Sequence, residues 1–275
     1  LNIVGTIQAS SSRSVSLTGS DDGQYNHDLY MNYVDQLEKS KNNKAILLYV
    51  NSPGGTVYES DELYLKLMEY KEKTKRPVYA YFGSQACSGA YYISMAADKI
   101  YTNRNTWTGS IGVIVSLTNY KKLYDKLGIK EIDITSGKNK SMGSGGLDLT
   151  GEQRDILQSL VDEAYDQFAG IVSEGRGLDI NTVKKIADGR IYSAKQAKEK
   201  GLVDEIGSED ELKALIRKEN KLGKDVVYDV AKSSGSDFLS GLMGSVQKIM
   251  PKSDSELAVD IVENKGKGVL MYYAD

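Results

Sequence analysis

The run AILLYV at positions 45–50 is apolar without a break and feeds directly into NSPGG at 51–55. A strand with one wet face alternates polar and apolar side chains, whereas an unbroken apolar run suits a strand covered on both faces. The neighbouring segments repeat the theme. IVGTIQ (3–8) reads as a strand, and Leu29, Tyr33, Val34 and Leu37 fall at helical spacing. A helix carrying Leu63, Leu67 and Met68 follows NSPGG, and VYAYF (78–82) after Pro77 is the next strand. Strand, helix and strand in this order predict parallel βα units.

Further along, KIYT (99–102) and IGVIV (111–115) read as short strands, LTNYKKLYDKLG (117–128) as a helix and EIDIT (131–135) as an alternating strand. At Thr150 the character changes. TGEQ (150–153) is a capping box, and Ile156, Leu157, Leu160, Val161, Ala164, Phe168 and Ile171 mark a long helix that ends before GRG (175–177). Shorter helices are expected over 181–189, 193–201 and 208–219. Beyond about residue 222 the pattern weakens: VVYDV (226–230) reads as a strand, and Phe238, Leu242, Met243, Val246, Ile249 and Met250 share one helical face suited to packing or to a subunit contact. The expected organisation is one domain over 1–220 with a C-terminal extension over 221–275.

With 275 residues, of which 40% are hydrophobic, the chain has the material for a full core. A net charge of −3 supplies no basic field for nucleic acid. One cysteine, Cys87, and one histidine, His27, leave no disulfide framework and almost no ligands for zinc, so neither a metal nor another cofactor is expected. No stretch approaches about 18 consecutive apolar residues, the length of a membrane-spanning helix.

Chemistry-bearing residues gather in three places. In NSPGG, proline fixes the turn and paired glycines let backbone amides face a ligand, as an oxyanion hole requires; a plain strand-to-helix turn would use the same residues. In ACSGAYYISMAAD (86–98), Ser88 falls where a strand and loop give way to a helix, so its hydroxyl and the Gly89 amide face one spot. Ser88 is a nucleophile only if some group takes its proton, and His27 lies in the polar stretch DDGQYNHDLY, far from it in sequence. Cys87, without a histidine partner, reads as core. The third place, SGKNKSMGSGG (136–146), offers Lys138 and Lys140. A lysine deprotonates serine once burial lowers its pKa by about three units, which costs about 4 kcal/mol.

Taken together, NSPGG, the stretch RPVYAYFGSQACSGAYYISMAADKIYTNRNTWTGSIGVI, SGKNK and ADGRIYSAKQAKEKGLVDEIG resemble the bacterial signal peptide peptidases of the SppA type, in their short single-domain form. The resemblance covers about residues 1–217. It implies an α/β, ClpP/crotonase-like fold of repeated ββα units, with a parallel sheet covered by helices, and peptide hydrolysis by a Ser-Lys dyad. Carried over, Ser88 is the nucleophile, Lys140 the general base, Ser110 in TGSIG the serine that holds the lysine amine, and the amides of Gly55 and Gly89 the oxyanion hole. It also implies an N-terminal membrane anchor, a catalytic domain on the extracytoplasmic side, a ring-like homo-oligomer, and apolar extended peptides such as signal-peptide remnants as substrate. The residues after Lys140 depart from the family by lacking its proline- and arginine-containing stretch.

Two other readings share the fold. A crotonase-type acyl-CoA enzyme would use the same amide donors with one or two carboxylates, and no Asp or Glu adjoins either donor motif in sequence. A non-catalytic membrane-associated scaffold would have no need of Ser88, Ser110 and Lys140 together. The C-terminal GKGVLMYYAD is expected either as an edge strand or frayed tail, or as an extended segment that occupies the groove of its own or a neighbouring protomer.

Overall fold

A computed structural model describes residues 1–10 and 24–231 and the backbone of 271–273. Its main sheet grows from the apolar runs. Strands β1 (Asn2–Val4), β2 (Ile46–Ser52), β4 (Val78–Cys87), β5 (Lys99–Thr102) and β8 (Glu205–Ile206) lie side by side in that order, all parallel. β4 is long enough to serve two neighbours. Its first half pairs with β5, and past a bulge its second half pairs in parallel with β6 (Trp107–Gly109), which in turn takes β7 (Ile191–Ser193) antiparallel.

Helices cover the sheet. α1 (His27–Lys39) is capped by the Asn26 side chain, and α2 (Val57–Thr74) directly follows the short strand β3 (Gly54–Thr56). α3 (Gly89–Ser94) starts where β4 stops. The capping box at Thr150 and Gln153 opens α5 (Gly151–Arg176), which runs two residues past its expected end to a left-handed Gly177. α4 (Lys121–Leu127) precedes it, and α6 (Ile180–Ile186), α7 (Ala194–Glu199) and α8 (Glu209–Glu219) follow.

Leu48, Val50, Leu63, Leu67, Phe82, Tyr91, Tyr92, Ile93 and Phe168 are fully buried between sheet and helices. Each such side chain contributes about 2–3 kcal/mol on removal from water. Tyr92 joins three helices: its hydroxyl donates to Asp61 of α2 at 2.5 Å and accepts from Gln167 of α5 at 2.7 Å. α3 is thereby held from both sides.

Three expected strands are absent. IGVIV buries only Ile111 and forms no strand, Ile114 alone making an isolated bridge. EIDIT is irregular, with Ile132 80% and Ile134 99% exposed, since its alternation has no neighbouring strand among the described residues. VVYDV is also irregular. The apolar face over 238–250 lies outside the described residues. The GKGVLMYYAD segment contributes β9 (Met271–Tyr273), which pairs antiparallel with β3. Among the described residues no helix is long and apolar enough to cross a membrane.

Candidate active site

The site forms where β4 and β6 end together. Cys87 pairs with Gly109 in the parallel register, and the next residue of each strand is a serine. Both bend sharply: Ser88 has φ 55° and ψ −123°, Ser110 has φ 49°. The Ser88 amide donates to the Gly109 carbonyl at 2.8 Å and the Ser110 amide to the Arg190 carbonyl at 2.8 Å, which locks the two turns. A Cβ on Gly109 would sit 2.7 Å from the Tyr192 ring at φ 87°, so glycine alone fits before Ser110.

Ser88 is fully buried, and its Oγ has no hydrogen-bond partner among the described residues. A buried hydroxyl left unsatisfied on a strained backbone is costly and marks a place where the fold is arranged for something other than stability. Cys87 beside it is inert, as the sequence suggests: burial pushes its thiol up to about 12.

Gly55 and Gly89 meet at the same point. A Cβ on Gly89 would lie 3.3 Å from the Gly55 nitrogen. The Ile7 amide donates to the Gly54 carbonyl at 2.8 Å and the Thr56 amide to the Ile7 carbonyl at 2.9 Å, so the amide of Gly55, between them, faces the opposite side of the strand. A Cβ on Gly55 would collide with the Ile7 carbonyl at 1.7 Å. The Gly89 amide, in the first turn of α3, has no partner within the helix. Two backbone donors and a hydroxyl without a partner among the described residues can together bind a carbonyl that turns into an oxyanion.

The glycine-rich loop is elsewhere. Lys138 is exposed and pairs with Glu152 at 2.7 Å. Lys140 is exposed too, and among the described residues its ammonium reaches neither Ser88 nor any carboxylate. His27 opens α1, where its ring contacts the Tyr25 hydroxyl at 2.6 Å and Glu62 at 2.8 Å, away from Ser88. A carboxylate does lie near the donors: Glu59 is buried one turn into α2, but it is engaged by the Thr56 hydroxyl.

Sequence reasoning missed three supporting residues. Ile7 clamps β3, the Ser52 hydroxyl accepts from the Gly54 amide at 3.1 Å, and Ser60 packs behind Gly89. Ser60 left one trace, as a polar residue on the stripe of Leu63, Tyr64 and Leu67.

Fold and site together define an α/β protein that presents a serine at the end of a parallel strand beside paired glycine amides. The pattern of peptidase family S49 matches residues 70–223, and that of Clp protease matches residues 6–108. The chain belongs to peptidase family S49. It is 43% identical over 223 residues to an Enterococcus faecium protein given the provisional name signal peptide peptidase SppA, covering 81% of this chain and 64% of that one. It is 42% identical over 217 residues to a Methanocaldococcus jannaschii protein provisionally named a protease, covering 78% of this chain and 69% of that one. The chain thus spans about two thirds of the length of each. Among solved structures, a ClpP1 mutant from Listeria monocytogenes aligns with a TM-score of 0.46 and 19% identity, over 77% of this chain and 93% of that one.

Proposed function

We propose that this protein is a membrane-associated serine endopeptidase that cleaves extended apolar peptides, such as signal-peptide remnants, on the extracytoplasmic side of the cell membrane. The observation that carries the reading is the buried hydroxyl of Ser88, without a hydrogen-bond partner among the described residues, beside the amides of Gly55 and Gly89. In the proposed reaction Lys140 takes the Ser88 proton, the oxygen attacks the scissile carbonyl, and the two amides hold the oxyanion. The Lys140 ammonium then protonates the departing amine, and water repeats the sequence on the acyl-enzyme. Ser110 orients the lysine amine. Residues 1–220 would hold this machinery.

A general base needs a desolvated lysine, and Lys140 is exposed in the single chain. It sits on a segment that also exposes Leu123, Leu127, Ile129, Ile132 and Ile134. An apolar surface of that kind on a monomer marks an association site. A second copy of the chain, covering this segment, would bury Lys140 and bring it to a neighbour's Ser88. β9 suggests how a substrate lies, because it adds antiparallel to β3 with Tyr272 opposite Gly55. The C-terminal tail would accordingly act as an internal competitor for the groove.

Labelling with a fluorophosphonate tests the nucleophile. Wild type should react, and Ser88→Ala should neither react nor hydrolyse peptide. Labelling that survives Ser88→Ala would overturn the assignment.

A further inference from the structure

The two proposed oxyanion donors come from different parts of the chain, Gly55 from β3 and Gly89 from α3. Something must hold them in register, since a displacement of 1 Å at a reacting centre costs up to about 100-fold in rate. Ser60 packs beside their junction. It is fully buried in the first turns of α2, and its Oγ donates to the Thr56 carbonyl at 2.7 Å. On its other side, a Cβ on Gly89 would lie 2.3 Å from that Oγ and 3.3 Å from the Ser60 Cβ. One side chain therefore touches the residue after Gly55 and the backbone of Gly89.

The far side of β3 is fixed as well. The Thr56 hydroxyl donates to Glu59 and reaches the Ile7 carbonyl at 3.4 Å, and the Ile7 backbone grips Gly54 and Thr56. With β3 held at its outer edge, the inward position of Gly55 relative to Gly89 depends on the side chain that packs against both Thr56 and Gly89. We infer that Ser60 is a positioning residue for the oxyanion hole, setting the separation of the Gly55 and Gly89 amides. The inference rests on the proposed serine-peptidase reading of the site.

Its consequence is specific to the transition state. Ground-state peptide binding along β3 draws on the strand edge, whereas the oxyanion forms only as the carbonyl becomes tetrahedral. Loss of the Ser60 hydroxyl should therefore lower kcat and leave KM nearly unchanged.

The test compares Ser60→Ala with Ser94→Ala. Ser94 is a fair control because it is also fully buried and also returns its hydroxyl to a carbonyl four residues back, that of Ala90 at 2.7 Å, whereas the atoms nearest a Cβ at either glycine donor belong to Ile7, Ser60 and Gly55. Three quantities are measured on each full-length protein: kcat and KM on a fluorogenic peptide, Ki for a peptide boronic acid, and the thermal midpoint. The boronic acid is the chosen probe because the serine oxygen adds to boron, the proton passes to the base, and a boron-bound oxygen takes the oxyanion position. Ser60→Ala should lose about ten-fold in kcat and in boronate affinity together, with KM within two-fold, a partial loss beside the 100- to 1,000-fold seen on removal of a whole donor. Ser94→Ala should show a similar thermal shift with kcat and Ki intact. Equal kinetics in the two variants would reduce Ser60 to packing. A wild type that fails to bind the boronate would instead remove the peptidase reading beneath it.

Discussion

A φ of 55° combined with a ψ of −123° is open to glycine and strained for serine, so the residue at position 88 is held there by its surroundings. The hold is visible: the amide is fixed to Gly109, and the carbonyl accepts from the Tyr92 amide at 2.9 Å inside α3. The strain separates function from stability at one position. Ser88→Gly removes the hydroxyl and also the Cβ that makes the conformation costly, whereas Ser88→Ala removes the hydroxyl alone. Both variants should be inactive, and Ser88→Gly should be the more stable of the two by about 1 kcal/mol, seen as a higher midpoint in urea or on heating. A glycine variant less stable than the alanine one would mean that the backbone at Ser88 is relaxed. Gly55 gives the reverse case, because any side chain there meets the Ile7 carbonyl, a backbone atom that cannot swing aside.

Among the elements, those set by their own residues were legible in the sequence. KIYT became β5 without change, and VYAYF became the first half of β4. The Thr150 capping box placed the start of α5, since the side chains that satisfy its first amides are local. The places of Ser88 and NSPGG in the fold were legible for the same reason: each sits where a strand signal gives way to a helix signal. IGVIV and EIDIT were misread because an apolar run or an alternation describes a strand's faces and says nothing of its edges. A strand requires a neighbour along its length, and within 111–115 Ile114 alone makes a bridge. Ile7 and Ser60 act across long stretches of sequence, so periodicity could not bring them to Gly55 and Gly89. β9 is the element whose role can be tested most directly. If the tail competes for β3, truncation after Gly268 should lower the apparent KM for a small peptide several-fold and leave kcat unchanged, because an attached competitor acts at a high effective concentration. Intact mass should show a wild-type tail trimmed and a Ser88→Ala tail whole. An untrimmed wild type with unchanged KM after truncation would leave β9 a structural edge strand.

At the scale of the whole molecule, the proposed dyad is incomplete within one chain: Ser88 is buried at the end of β4, and Lys140 is exposed on a segment with a bare apolar stretch. A closed ring of copies would solve both problems, each protomer lending its lysine to the next and covering its neighbour's exposed isoleucines. The arrangement has a numerical signature. Ser88→Ala chains still carry Lys140, and Lys140→Ala chains still carry Ser88, so each protein alone is inactive. When the two are co-expressed in equal amounts and assemble at random, half of the serines and half of the lysines are intact. About a quarter of the junctions then combine an intact serine with an intact lysine from the adjoining copy, and the mixture should recover about a quarter of wild-type activity. A dyad formed inside one chain gives no recovery at any ratio, since no chain in the mixture has both groups. Replacing Ile132 and Ile134 by lysine supplies the second arm: assembly measured by analytical ultracentrifugation should weaken, and activity should fall with it while the thermal midpoint of the single chain holds. Full activity in a protein that sediments as a monomer would place Lys140 with its own Ser88.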